Sequence, residues 1–157
     1  APRSGRQCKA MSIVSSETVR VQGTASDKHD AIRQAGELLV GAGCVGKAYV
    51  QGMLAREQTM STYLGNGVAI PHGQHESLGE VYRTGISVLQ LPAGVEWEPG
   101  ELAYLVIGIA ANADEHVGVL ANLAEVIEDE QATEQLIRTT DPQLIIDRLS
   151  RAREAEV

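Results

Sequence analysis

The sequence predicts an α/β sandwich, a small mixed sheet with helices on both of its sides. Three observations carry this expectation. Two stripes of helical period come first, a group of short extended segments follows, and three more helical patterns close the chain. Within the extended group, Leu102–Ala111 (LAYLVIGIAA) is continuously apolar, as a strand buried on both faces requires.

The elements follow in order. Thr18–Gln22 reads as a short strand with Val19 and Val21 on one face. Ser26 before Asp27 is a helix cap with an acidic first turn, and Ala31, Ile32, Ala35, Leu38, Leu39 and Ala42 form one apolar stripe after it. Gly41 and Gly43 close that helix. A second helix spans Lys47–Gln58, burying Tyr49, Val50, Met53 and Leu54 and carrying Arg56 and Glu57 at its end. Thr62–Leu64 and Val68–Ile70 are extended pieces around a Gly65-Asn66-Gly67 turn, whose glycines accept positive φ at little cost. Thr84–Leu91 is a stronger strand, ended by Pro92. After the apolar strand, Asp114 caps a helix over Glu115–Glu128. Asp129–Arg138 is a short helix, and Asp141-Pro142 opens the last one with proline at its first position.

With 157 residues the chain is of single-domain size, able to bury a real core. There is no Phe and one Trp, so that core is built from Leu, Ile, Val and Ala. A formal charge of −8 speaks against nucleic acid, whose phosphates need a basic face. No apolar run reaches the roughly 18 residues of a membrane span, and no apolar stretch follows Arg3, Arg6 and Lys9 to make a signal peptide. Cys8 and Cys44 lie in no metal-type spacing and read as reduced thiols of a cytoplasmic protein. Residues 1–12 read as an N-terminal tail, compatible with a vector-derived remnant. Residues 13–150 form one domain and 151–157 a C-terminal tail.

The chemistry concentrates in Ser61–Gly73 (STYLGNGVAIPHG). His72 follows a strand; Pro71 fixes its own φ and holds Ile70 extended, while Gly73 leaves no side chain against the ring. A surface loop histidine is the plain alternative. The functional one is a nucleophile, because an imidazole of pKa ~6.5 is mostly neutral at pH 7. His116 lies in the first turn of the helix after the apolar strand. Ligands of open α/β sheets sit outside the carboxyl ends of strands, so His72 and His116 converge if their strands are parallel neighbours. A helix N-terminus adds N–H donors for an anion such as phosphate. Arg56 offers a planar fork for phosphate oxygens, against a solvated Arg-Glu pair as the plain reading. His29 and His75 read as surface residues. A metal site from His72, His116 and a carboxylate has no supporting HxxxH or CxxC spacing.

These residues carry a likeness. STYLGNGVAIPHG, the preceding Met53-Leu54-Ala55-Arg56-Glu57, and Val106–Ala111 running into Glu115-His116 together resemble the IIA domain of the bacterial sugar phosphotransferase system, closest to the mannitol/fructose class (type 2). The likeness covers roughly Val14 to Leu149. It implies a mixed sheet of about five strands sandwiched between helices. It also implies an activity: phospho-HPr gives its phosphoryl group to His72, which passes it to a cysteine of a IIB domain while a membrane IIC domain imports the sugar. In that comparison His116 and Arg56 are the second active-site histidine and the arginine beside the phosphoryl group. Glu57 and Pro71 are supporting residues. Gly73, with Arg56 and His116, would bind the phosphate. No metal or other cofactor is required. Neither cysteine lies in a phosphocysteine-type loop, so the IIB function belongs elsewhere, and the choice of sugar belongs to IIC. Both a free-standing protein and a piece of a fused polypeptide are compatible with the sequence.

Two other readings stand beside this one. One is a regulatory IIA-like module, nitrogen-type or from a transcription regulator, that signals through His72 phosphorylation; His116 counts against it. The other is an interaction domain that keeps the fold without the transfer.

Overall fold

A computed structural model describes residues 13–74 and 79–156, with the side chains of residues 113, 114, 116 and 151–156 outside the description. Its elements are β1 (Val19–Arg20), α1 (Lys28–Gly41), α2 (Ala48–Thr59), β2 (Tyr63–Gly65), β3 (Val68–Ala69), β4 (Gly85–Glu98), β5 (Glu101–Ala110), α3 (Ala113–Glu128), α4 (Glu130–Arg138) and α5 (Pro142–Glu156). The last helix runs through most of the segment read as the C-terminal tail.

One five-stranded mixed sheet has the order β1-β4-β5-β3-β2. β1 is parallel to β4, β4 antiparallel to β5, β5 parallel to β3 and β3 antiparallel to β2. The two sides of the sheet build separate cores. Ile32, Ala35 and Leu39 of α1 and Tyr49 and Met53 of α2 bury one face, against Leu89 and Val106. Val119, Leu123 and Ile127 of α3, Leu136 of α4 and Ile145 of α5 bury the other, against Val88, Leu105 and Ile107. Burying such an aliphatic side chain stabilises by about 2 kcal/mol, so this alternation along β5 commits the apolar run to the middle of the sandwich. Gly108 lets α1 come close: a Cβ there would lie 2.6 Å from Ser87 Oγ and 3.3 Å from the Ala35 methyl. Ser87 Oγ donates to the Ala35 carbonyl at 2.8 Å across the same gap.

Three local expectations are corrected. The cap of α1 is Asp27, whose side chain accepts from the Asp30 N–H, while the Ser26 N–H donates to the Asp30 carboxylate. That reciprocal pair satisfies two donors where a Ser26 cap would satisfy one. The cap of α3 is Asn112, whose side chain accepts from the Glu115 N–H, and Asp114 lies inside the first turn. Pro92 does not end β4. The strand runs on to Glu98 because the pairing with β5 shifts register between Gln90 and Val95, so the proline stands where no ladder N–H is needed.

Candidate functional site

β3 and β5 are parallel neighbours, with Val68 opposite Leu105 and Ala69 opposite Val106. The pairing carries on past β3: the Ile109 N–H donates to the Pro71 carbonyl at 3.0 Å, and His72 bridges to Ile109. The condition for convergence of the two histidine positions is therefore met. His72 stands at the carboxyl end of β3, and the chain leaving the adjacent end of β5 enters α3, whose first turn contains His116. The side chain of His116, like His75 and Cys8, lies outside the described residues. His29 is exposed on α1.

His72 is not a surface loop residue. It is 8% exposed, and its Nδ1 lies 2.9 Å from the Ile70 carbonyl oxygen. A carbonyl oxygen only accepts, so Nδ1 carries the proton and, in the neutral ring, Nε2 carries the lone pair. The Ile70 N–H in turn donates to the Thr62 carbonyl at 3.0 Å. Thr62 is held by Glu57: its N–H donates to Oε1 at 3.1 Å and its hydroxyl to the same oxygen at 2.5 Å. A relay of hydrogen bonds thus runs from Glu57 through Thr62 and Ile70 to the imidazole.

Glu57 is buried, 4% exposed, and does not pair with Arg56. Besides Thr62 it accepts from Trp97 Nε1 at 3.0 Å and faces Lys28 Nζ at 3.4 Å. The Arg-Glu pair of a solvated helix end is absent among the described contacts. Arg56 Nη1 instead donates to the Met60 carbonyl at 2.7 Å, closing the end of α2. Tyr63 lies opposite Ala69. The Ile70 N–H donation to Thr62 continues that antiparallel pairing by one residue beyond the strands.

Gly73 corrects the picture of open space beside the ring. The Tyr49 ring occupies it: a Cβ on Gly73 would lie 2.5 Å from Cε1 and 2.8 Å from Cζ. The Gly73 N–H donates to the Tyr49 hydroxyl at 2.9 Å, and that hydroxyl donates to the Ile109 carbonyl at 2.7 Å. Burial pushes the Tyr49 pKa up, against a lowering by the Gly73 N–H, so the phenol keeps the proton it donates. Helical period marked Tyr49 as core. Nothing local in the sequence marks its hydroxyl, whose partners are 24 and 60 residues away. The same holds for Trp97 and Lys28 as partners of Glu57.

Among the described residues no group of His, Cys, Asp and Glu is arranged to hold a metal ion. A cleft of about 880 Å³ lies near the opposite end of the sheet, lined by Tyr63, Gly67, Leu102, Tyr104 and Arg138 among others. Gln90 at its base is already satisfied, donating to the Leu136 and Thr139 carbonyls and accepting from the Gln22 N–H. No helix among the described residues is long and apolar enough to cross a membrane.

Comparison with known proteins places the chain in a family. Residues 12–152 match the family described as the phosphoenolpyruvate-dependent sugar phosphotransferase system, EIIA 2. A multiphosphoryl transfer protein of Rhodobacter capsulatus is 49% identical over 139 residues, covering 88% of this chain and 17% of that protein. The mannitol-specific phosphotransferase enzyme IIA component of Bacillus subtilis is 41% identical over 127 residues, covering 81% of this chain and 89% of that one. The chain spans 16% to 31% of the length of the first curated relatives it matches. Among solved structures, the complex of enzyme IIAMTL and phosphorylated enzyme IIBMTL from Escherichia coli superposes with a TM-score of 0.83 at 40% identity, covering 87% of this chain and 96% of that chain. The regulatory alternative is not favoured by these likenesses.

Proposed function

The chain belongs to the EIIA 2 family of the phosphoenolpyruvate-dependent sugar phosphotransferase system, and from that premise we propose that His72 is a phosphoryl carrier between HPr and a IIB domain. The observation that carries the assignment is the bond from His72 Nδ1 to the Ile70 carbonyl, which leaves the lone pair on Nε2. Nε2 attacks the phosphorus of phospho-HPr in line, the bond from phosphorus to the donor imidazole breaks as the new P–N bond forms, and the donor ring departs. The phosphorylated His72 ring keeps its Nδ1 proton, and its positive charge is shared with the Ile70 carbonyl dipole and the attached phosphoryl group. A cysteine thiolate of the IIB domain then attacks phosphorus, and His72 leaves as the neutral ring with which it began.

Such transfer rests on positioning and charge stabilisation. Arg56, at the end of α2 before the Ser61–Gly73 segment, and His116, in the first turn of α3, supply charge to the equatorial oxygens. The N-terminus of α3 adds its dipole. Gly73 serves the phosphate through its backbone position beside the ring, its N–H being held by Tyr49. Glu57 and Pro71 support His72 from behind. The relatives named for mannitol and for multiphosphoryl transfer suggest the mannitol/fructose class of sugar systems, with the domain working in the cytoplasm, where HPr and the IIB domain would meet it.

The test uses the protein with phosphoenolpyruvate, enzyme I and HPr. An acid-labile, base-stable phosphoryl group on His72, absent from His72→Gln and discharged by an added IIB domain, is the expected result. A wild-type protein that takes no phosphate from phospho-HPr would overturn the proposal.

A further inference from the structure

We propose that Tyr49 is a positioning residue for His72, its hydroxyl fixing the direction in which Nε2 meets the incoming phosphoryl group. The inference rests on the carrier role of His72 proposed above.

The parallel ladder between β3 and β5 explains why. In that ladder Leu105 donates to the Gly67 carbonyl and Ile109 to the Pro71 carbonyl. The next rung would be a bond from the Gly73 N–H to the Ile109 carbonyl, since parallel pairing alternates in this way. The Tyr49 hydroxyl bonds both ends of that rung, accepting from the Gly73 N–H at 2.9 Å and donating to the Ile109 carbonyl at 2.7 Å. One hydroxyl therefore ties the chain leaving β3 to β5 directly after His72. His72 is clamped on both sides. Pro71 is bonded to β5 before it, and Gly73 is bonded through Tyr49 after it.

The clamp is rigid for two further reasons. Tyr49 is 1% exposed and lies at the start of α2, the helix that carries Arg56 and Glu57 near its other end. One helix thus holds the backbone after His72 through Tyr49 and the Ile70 carbonyl beneath its ring through Glu57 and Thr62. The missing Cβ at Gly73 is what admits the tyrosine ring. Without the hydroxyl, Gly73 and Ile109 are left either to close a direct rung or to stay apart, and both shift the peptide that orients the imidazole.

Tyr49→Phe keeps the ring and removes the hydroxyl. The turnover of phosphoryl transfer from phospho-HPr, expressed per folded molecule, is expected to fall on the order of 10- to 100-fold with little change in KM for phospho-HPr, since a small misplacement of a reacting group costs up to this much. Nitrogen-15 spectra of the His72 ring should change with it, from one Nδ1–H tautomer to a mixture. Wild-type turnover together with an unchanged ring spectrum would reduce Tyr49 to packing and overturn the inference. If the wild type itself takes no phosphate, the carrier role fails instead, and the ring spectra of the two proteins still decide whether Tyr49 orients His72. Chemical denaturation gives the folded fraction, so a loss that follows unfolding alone counts against the inference.

Discussion

Trp97 Nε1 donates to Glu57 Oε2 at 3.0 Å, joining the last turn of α2 to the far part of β4 inside the protein. Glu57 also accepts from Thr62 and faces Lys28, so one carboxylate draws together α1, α2, β4 and the segment leading to β2. A buried carboxylate is tolerated only when its oxygens are surrounded by donors. Here two are from Thr62, one from Trp97 and one from a partly exposed lysine.

Glu57→Ala removes the acceptor of all these groups and leaves the Trp97 N–H and Thr62 hydroxyl buried without it. A loss of about 3 kcal/mol is expected, the usual scale for breaking a buried charged cluster. Urea unfolding followed by Trp97 fluorescence measures it directly. Because the relay from Glu57 ends at His72, phosphate acceptance per folded molecule should fall as well.

Arg56 and His116 should separate from each other in kinetics. Arg56→Ala removes a partly exposed side chain bonded to one carbonyl, so stability should drop by about 1 kcal/mol or less. Transfer should fall on the order of 10²-fold, as when one stabiliser of a charged transition state is removed. His116→Ala should leave acceptance from phospho-HPr measurable and slow the onward step to IIB. Single-turnover rates for each half-reaction check both, and a large fall in melting temperature in Arg56→Ala would assign it a structural role.

The pH dependence of stability follows from Tyr49. Its pKa in the folded protein is raised by burial, above the ordinary value of about 10. A group raised on folding contributes stability that is complete below the unfolded value and is lost as pH climbs through the folded one. The Tyr49 share of the stability should therefore be intact up to about pH 10 and decline above it, on top of an earlier decline from the Cys44 thiol, which burial also raises. Tyr49→Phe should flatten part of that decline. The remainder includes Tyr63, also raised chiefly by burial.

Cys44 is 1% exposed, and burial pushes its thiol pKa up. A thiol in that state is a poor nucleophile. In a Cys8→Ser background, a thiol reagent should label the native protein negligibly and the urea-unfolded protein fully. Rapid labelling without denaturant would show that the packing of Cys44 against Gly85 at the start of β4 opens readily.

The legible parts of the sequence were those whose signal is local. Ala31, Ile32, Ala35 and Leu39 announced α1 by their spacing, and the unbroken run before Ala111 announced the central strand. Pro71 and Gly73 around His72 marked the candidate site. The misread parts were decided by small competitions between neighbours. Asp27 displaced Ser26 as a cap because Asp30 could answer it, and β4 passed Pro92 because a register shift took the missing N–H out of the ladder.

By itself, then, the sequence determined which histidine to follow, the α/β class and the family resemblance, because periodicity and the AIPHG segment are properties of consecutive residues. Only the tertiary structure decided how that histidine is held. The bond from Nδ1 to Ile70, the Glu57 cluster and the Tyr49 hydroxyl between Gly73 and Ile109 depend on the registers of β2, β3 and β5 and on how α2 crosses them. Hydrogen bonds have a range of about 3 Å, and partners that lie 24 to 60 residues apart in sequence come within it only when the sheet has formed.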